Sequence, residues 1–171
     1  MGLEKIVKKA IDVYKNNRIV NINVNILAAA APSILAATGM SELLEYQGCS
    51  EGTIATAAAV TDWAVYIPIH VGLHYRANKE QFIDSEGNFQ KKAFAKDVAH
   101  VYATQLPSIG LFYAMASPFH YYLMKSCELA SGAANQISYW GTMVVTRLVH
   151  TIIGLKTGLF KKNKNKSPDS K

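Results

Sequence analysis

Leu3, Ile6, Val7, Ala10, Ile11 and Tyr14 recur at three- and four-residue steps, with Lys5, Lys8, Lys9 and Lys15 set between them. That period predicts an amphipathic helix over residues 1–18, lying on anionic lipid or docked on the rest of the protein. From Ile19 the rhythm changes. Ile19–Ser41 is uncharged for 23 residues and Val98–Met124 for 27, counting histidine as neutral. Leu129–Thr146 is uncharged for 18 residues, and Gly52–Tyr75 carries only Asp62. A membrane-spanning helix needs about 20 predominantly apolar residues, whereas a surface helix of a soluble protein keeps a charged outer face. The pattern therefore predicts an all-α integral membrane four-helix bundle over residues 19–160, with spans near 22–44, 53–75, 98–124 and 133–157. A soluble bundle of Ala-rich buried helices is the competing arrangement, and Asn21, Asn23 and Asn25 at the start of the first span speak for it.

Composition moves the balance toward the membrane. Half the residues are hydrophobic and 18% are charged, against about 25% charged in ordinary soluble chains. The net charge of +6 is segregated. Lys5, Lys8, Lys9, Lys15 and Arg18 precede the first span; Arg76, Lys79, Lys91, Lys92 and Lys96 lie between the second and third. Lys156, Lys161, Lys162, Lys164, Lys166 and Lys171 follow the fourth span, while the other two loops hold only Lys125. The positive-inside rule then predicts a multi-pass cell-membrane protein with both termini and the central loop cytoplasmic. Membrane lipids are the expected partners. Nucleic acid is not, because no aromatic-interleaved basic patch or binding motif accompanies the charge. The first 18 residues lack the apolar stretch of a secretory signal, and the polar, aperiodic "KKNKNKSPDSK" (161–171) predicts a disordered basic tail.

The chain also echoes itself. "APSILAATGM" parallels "LPSIGLFYAM", pairing Pro32-Ser33 with Pro107-Ser108; carried forward, that alignment brings Cys49 near Cys127, Trp63 near Trp140 and Phe82 near Phe160. The chain's two cysteines and two tryptophans thus divide one to each half. This predicts a duplicated two-helix hairpin, and two-helix units repeat in parallel orientation. Small residues at Ala28–Ala31, Ala36–Gly39 and Ala114–Ser117 permit close helix contact. Cys49 and Cys127 fall at the outer ends of the hairpins, where a disulfide can form and two free thiols are the alternative.

Candidate chemistry lies in two polar stripes. Asp62, Tyr66, His70 and His74 sit at four-residue steps on one side of span two. Asn135, Tyr139, Thr142, Thr146 and His150 share a face of span four with Arg147 at its margin, and Arg147 occupies the repeat position of His70. An ionisable group in hydrocarbon costs at least about 2.5–3.5 kcal/mol, so both stripes are expected to face inward. An Asp62–Arg147 ion pair is one arrangement; Asp62 at an outer vestibule with Arg147 reaching inward is the other. Counted from the cytoplasmic charges, His70, His74, His100 and His150 lie at similar depth. They can serve as a metal site, as proton carriers, or as helix–helix and interface hydrogen-bond partners. His120, beside Tyr121 and Tyr122, reads as interfacial, and Asp97 and Glu80 as solvated loop carboxylates. No nucleophile motif, phosphate loop or paired-carboxylate arrangement appears, so neither an enzyme nor a cofactor is implied.

Four spans, two parallel hairpins, short outer loops and the hairpin ends "HYRANKEQF" (His74–Phe82) and "GLKTGLF" (Gly154–Phe160) resemble the GtrA-like membrane proteins. The chain departs from that family in the "NINVNILAAAAPS" start of its first span and in its intramembrane Asp62 and Arg147. The resemblance implies movement of polyprenyl-phosphate-linked sugars, with Arg76, Lys79 and Arg147 attracting the phosphate. Independently of it, the stripes fit a small homo-oligomeric transporter of a polar or lipid-linked solute. Two other readings stand beside this one: a non-catalytic subunit of a larger membrane complex, and a metal- or haem-bearing redox subunit.

Overall fold

The computed structural model describes residues 2–157; the expected basic tail and Phe160 lie outside the described residues. Among the described residues five α-helices form: α1 Leu3–Asn16, α2 Arg18–Tyr46, α3 Glu51–Asn78, α4 Lys91–Cys127 and α5 Ser131–Thr157. A 3-10 turn, Lys79–Phe82, follows α3. α2, α3 and α4 extend past both ends of the uncharged stretches that predicted them, α5 begins just inside its stretch and runs beyond its end, and local capping fixes the ends. The Asn17 side chain accepts from the backbone N–H groups of Ile19 and Val20 at the start of α2. Ser50 does the same for Thr53 in α3, meeting donors that a first turn leaves free. Glu128 ends α4 at φ 54°, the left-handed conformation that terminates a helix.

The long helices close into a ring. α2 packs most extensively on α3 and α4 on α5, and smaller α2–α5 and α3–α4 seams join the two hairpins. Three apolar clusters fill the ring, the central one built from Ala30, Ile34, Phe112, Ala116, Tyr139 and Met143. Around and between these clusters the interior is polar. Asn25, Ser33, Asp62, His70, His74, Gln105, Ser108, His120, Asn135, Thr146 and His150 are all buried. The large apolar side chains Leu35, Val60, Leu106, Val144 and Leu148 are more than half exposed. Both features depart from the usual arrangement, in which a buried polar group or an extended exposed apolar face is the informative exception.

Among the described residues two helical stretches, Ile19–Tyr46 and Glu51–Phe82, are long and apolar enough to cross a membrane. α4 and α5, expected to supply the third and fourth spans, fall below that measure. Their buried faces carry Thr104, Gln105, Ser108 and His120, and Asn135, Ser138, Thr142, Thr146 and His150.

α1 joins the bundle through one contact of note. Tyr14 Oη donates to Asn25 Oδ1 at 2.6 Å, and burial raises the Tyr14 phenol above its ordinary pKa. The apolar positions Leu3, Ile6, Val7 and Ile11 stay exposed. Between α3 and α4, Gly87 at φ +85° turns the chain so that Ile83 bridges Phe89. Phe94 collects Tyr75, Phe82 and Phe89 at ring distances of 5.4–5.7 Å beneath that turn.

Candidate functional site

The α3 stripe faces the interior, and α4 answers it rung by rung. Tyr113 Oη donates to Asp62 Oδ2 at 2.6 Å. One level along, His70 Nδ1 lies 3.1 Å from Tyr102 Oη. At the end of the stripe, His74 Nε2 lies 2.8 Å from Asp97 Oδ2. Asn78 Nδ2, which donates to the His74 carbonyl at 2.9 Å, is also 3.3 Å from His74 Nδ1. A donor facing Nδ1 leaves the ring proton on Nε2, directed at Asp97. Tyr66 stacks on His70 with centroids 5.3 Å apart, and His70 lies 6.4 Å from His74. The four-residue period of α3 thus becomes a continuous column of rings.

At mid-bundle a cavity of about 40 Å³ opens among all four long helices. Its polar lining is Ser33 from α2, Asp62 and Tyr66 from α3, Ser108 and Tyr113 from α4, and Arg147 from α5. Trp63 forms part of its wall. Asp62 and Arg147 share this cavity without forming the expected ion pair: the carboxylate is taken by Tyr113, while Nε and Nη1 of Arg147 are buried without a hydrogen-bond partner. Ser108 Oγ is likewise buried and unpartnered. Arg147 is close enough to His70 and His150 for its charge to act on both.

The remaining candidates disperse. His150 and Tyr139 are buried in the ring, but Arg76 is exposed, away from the cavity. His100 is exposed as well and does not join His70, His74 and His150. It sits one residue before the buried Val101, and that step rotates it off the inner face of α4. Among the described residues no group of three or more His, Cys, Asp or Glu side chains can hold a metal ion. Of the two arrangements open to the cysteines, the structure has the free thiols: Cys49 and Cys127 are unbridged. Cys49 packs against the cluster of Ile54, Leu123 and Ala134, whereas Cys127 is exposed.

Two residues read as peripheral are interior. His120 is fully buried, its Nε2 3.1 Å from the Ser131 carbonyl oxygen. Asp97 is the partner of His74, its side chain only 14% exposed. A signal for Asp97 was present, since Asp97, Val101 and Gln105 stand at four-residue steps on the face that continues through Ser108 and Phe112. Compared with family models, curated proteins and solved structures, the chain matches none.

Proposed function

We propose that this chain is a small multi-pass membrane protein of transporter type, which carries a small polar solute through the interior of its four-helix ring. The observation that carries this reading is the distribution of side chains, with many polar groups buried among the apolar clusters and large apolar side chains outside. Only 28% of the most apolar stretch of α3 is covered by the rest of the protein. In water such surface costs about 25 cal/mol per Å²; against lipid it costs nothing. Leu106, Ile137, Val144, Leu148, Ile152 and Leu155 give α4 and α5 the same outward face. All four helices then span, and the more polar α4 and α5 do so by turning their polar sides into the ring. The lysine distribution puts both termini and the α3–α4 connection on the cytoplasmic side. α1 rests on that leaflet with its exposed apolar positions in the headgroup boundary.

The hairpins α2–α3 and α4–α5 serve as parallel repeats, and the α2–α5 and α3–α4 seams are the equivalent joins between them. In the GtrA-like version of this reading the solute is a polyprenyl-phosphate-linked sugar. The cavity of about 40 Å³ favours a solute of a few atoms within one bundle; a sugar phosphate would need a wider path between two copies. A second reading, a non-catalytic subunit, is favoured by the uncovered apolar faces, which suit neighbouring helices as well as lipid.

Reconstitution tests both. Purified protein in sealed vesicles is expected to conduct a small polar solute, with Arg147→Leu abolishing flux while helical content is unchanged. Flux unaffected by Arg147→Leu removes the interior pathway. Absence of any flux, with a constant foreign partner cross-linked in native membranes, supports the subunit.

A further inference from the structure

We infer that the mid-bundle cavity is a binding site for a small monovalent inorganic anion of halide size, held by Arg147 and Ser108, whose uptake is linked to a proton on Asp62. This rests on the transporter reading for its physiological use but not for the binding itself. Arg147 brings donors and no acceptor, and its Nε and Nη1 are buried with nothing to bond. Ser108 Oγ, fully buried, is in the same condition on the facing helix. Buried polar groups in proteins are as a rule satisfied, because leaving one unpaired costs about 1–3 kcal/mol and more when it is charged; among the cavity's lining residues, Arg147 and Ser108 are the ones with buried unpartnered atoms. Unpartnered donors on two helices beside one cavity therefore call for a group that only accepts.

Size narrows the class. About 40 Å³ accommodates one or a few water-sized groups, which suits a halide and excludes a sugar or a lipid headgroup. Charge supplies the link to protons. Asp62 lines the same cavity, so an anion would meet a like charge there if the carboxylate stayed ionised. Facing Asp62 are Ser33 from α2, Tyr113 and Ser108 from α4, and Tyr139 and Arg147 from α5, with Tyr66 on its own helix. Arg147 is the cation of this group, and it makes no bond to Asp62. A proton arriving on Asp62 with the anion leaves the site with the same net charge as before. Each ligand then raises the other's affinity by the same factor.

The full chain, purified in detergent, would be titrated with chloride while the chloride NMR line width is followed, with bromide as competitor. Saturable, bromide-displaceable broadening that strengthens as pH falls is expected. Arg147→Gln should weaken it at least tenfold, and Ser108→Ala several-fold. Asp62→Asn should retain binding but lose its pH dependence. Broadening that is absent, non-saturable, or equal in Arg147→Gln and Ser108→Ala overturns the site; Ser108→Ala decides should Arg147→Gln fail to fold. A pH dependence that survives in Asp62→Asn overturns the proton link. Binding without vesicle flux would end the transporter reading and leave the site standing, whereas flux of another solute without chloride binding would do the reverse.

Discussion

The two seams that join the hairpins are built from different chemistry. Along α3–α4, three side-chain contacts follow one another from mid-bundle to the end: Asp62–Tyr113, His70–Tyr102 and His74–Asp97. Every rung contains an ionisable group. Along α2–α5 the polar contacts lie near one end, where Thr38 Oγ1 accepts from Asn135 and Gln136 and Glu45 accepts from the Ser131 backbone N–H and hydroxyl. Further along, the two helices share the apolar cluster of Ala30, Ile34 and Met143. The α2–α5 contact is the more extensive of the two. One seam therefore has the character of a structural weld. The other sets titratable groups in register beside the cavity, and that is where a change in protonation or ligand can alter the contact between hairpins.

The contrast can be broken by mutation, and the largest effect belongs to the ionisable seam. Tyr113→Phe removes one of the two donors to Asp62, leaving the buried carboxylate to Ser33, and is expected to cost about 3 kcal/mol, read as a lower unfolding temperature in detergent. Adding Asp62→Asn to it should recover most of that loss, because the underpaired charge is gone. Asp97→Ala removes the partner of His74 at a less buried level and should cost about 2 kcal/mol by the same measurement. On the other seam, Glu45→Ala uncaps the first turn of α5, at about 1 kcal/mol. Thr38→Val removes the acceptor shared by Asn135 and Gln136; Asn135 keeps the Ile34 carbonyl, so the cost is about 0.6 kcal/mol, the average for one interhelical hydrogen bond in membranes. Equal losses on both seams would erase the distinction. The smallest expected change is none: both cysteines should alkylate fully without reductant, and reduction should leave gel mobility unaltered.

The helices and their inward faces were legible because each depends on spacing along one chain segment. Asp62, His70 and His74 lie eight and four residues apart, on one helical face, and are buried as that spacing requires. The same rule places Asp97 with Val101 and Gln105, although a single aspartate amid lysines reads more readily as solvated loop. His120 was misread for a similar reason. Its neighbours Tyr121 and Tyr122 do face outward, but one residue of helix turns a side chain by about 100°.

Partnership between helices was not legible. Asp62 and Arg147 are the opposite charges of the interior, and sequence joins them; the structure gives Asp62 to Tyr113 and leaves the guanidinium beside the same cavity. The cysteines match in the repeat alignment, yet one packs into a cluster and the other is exposed. The sequence by itself determined which segments are helical and which face of each is polar, because periodicity is a local property of the chain. Only the tertiary structure decided which polar group meets which. That choice depends on the axial register and rotation of neighbouring helices, set by the summed volumes of side chains far apart in sequence.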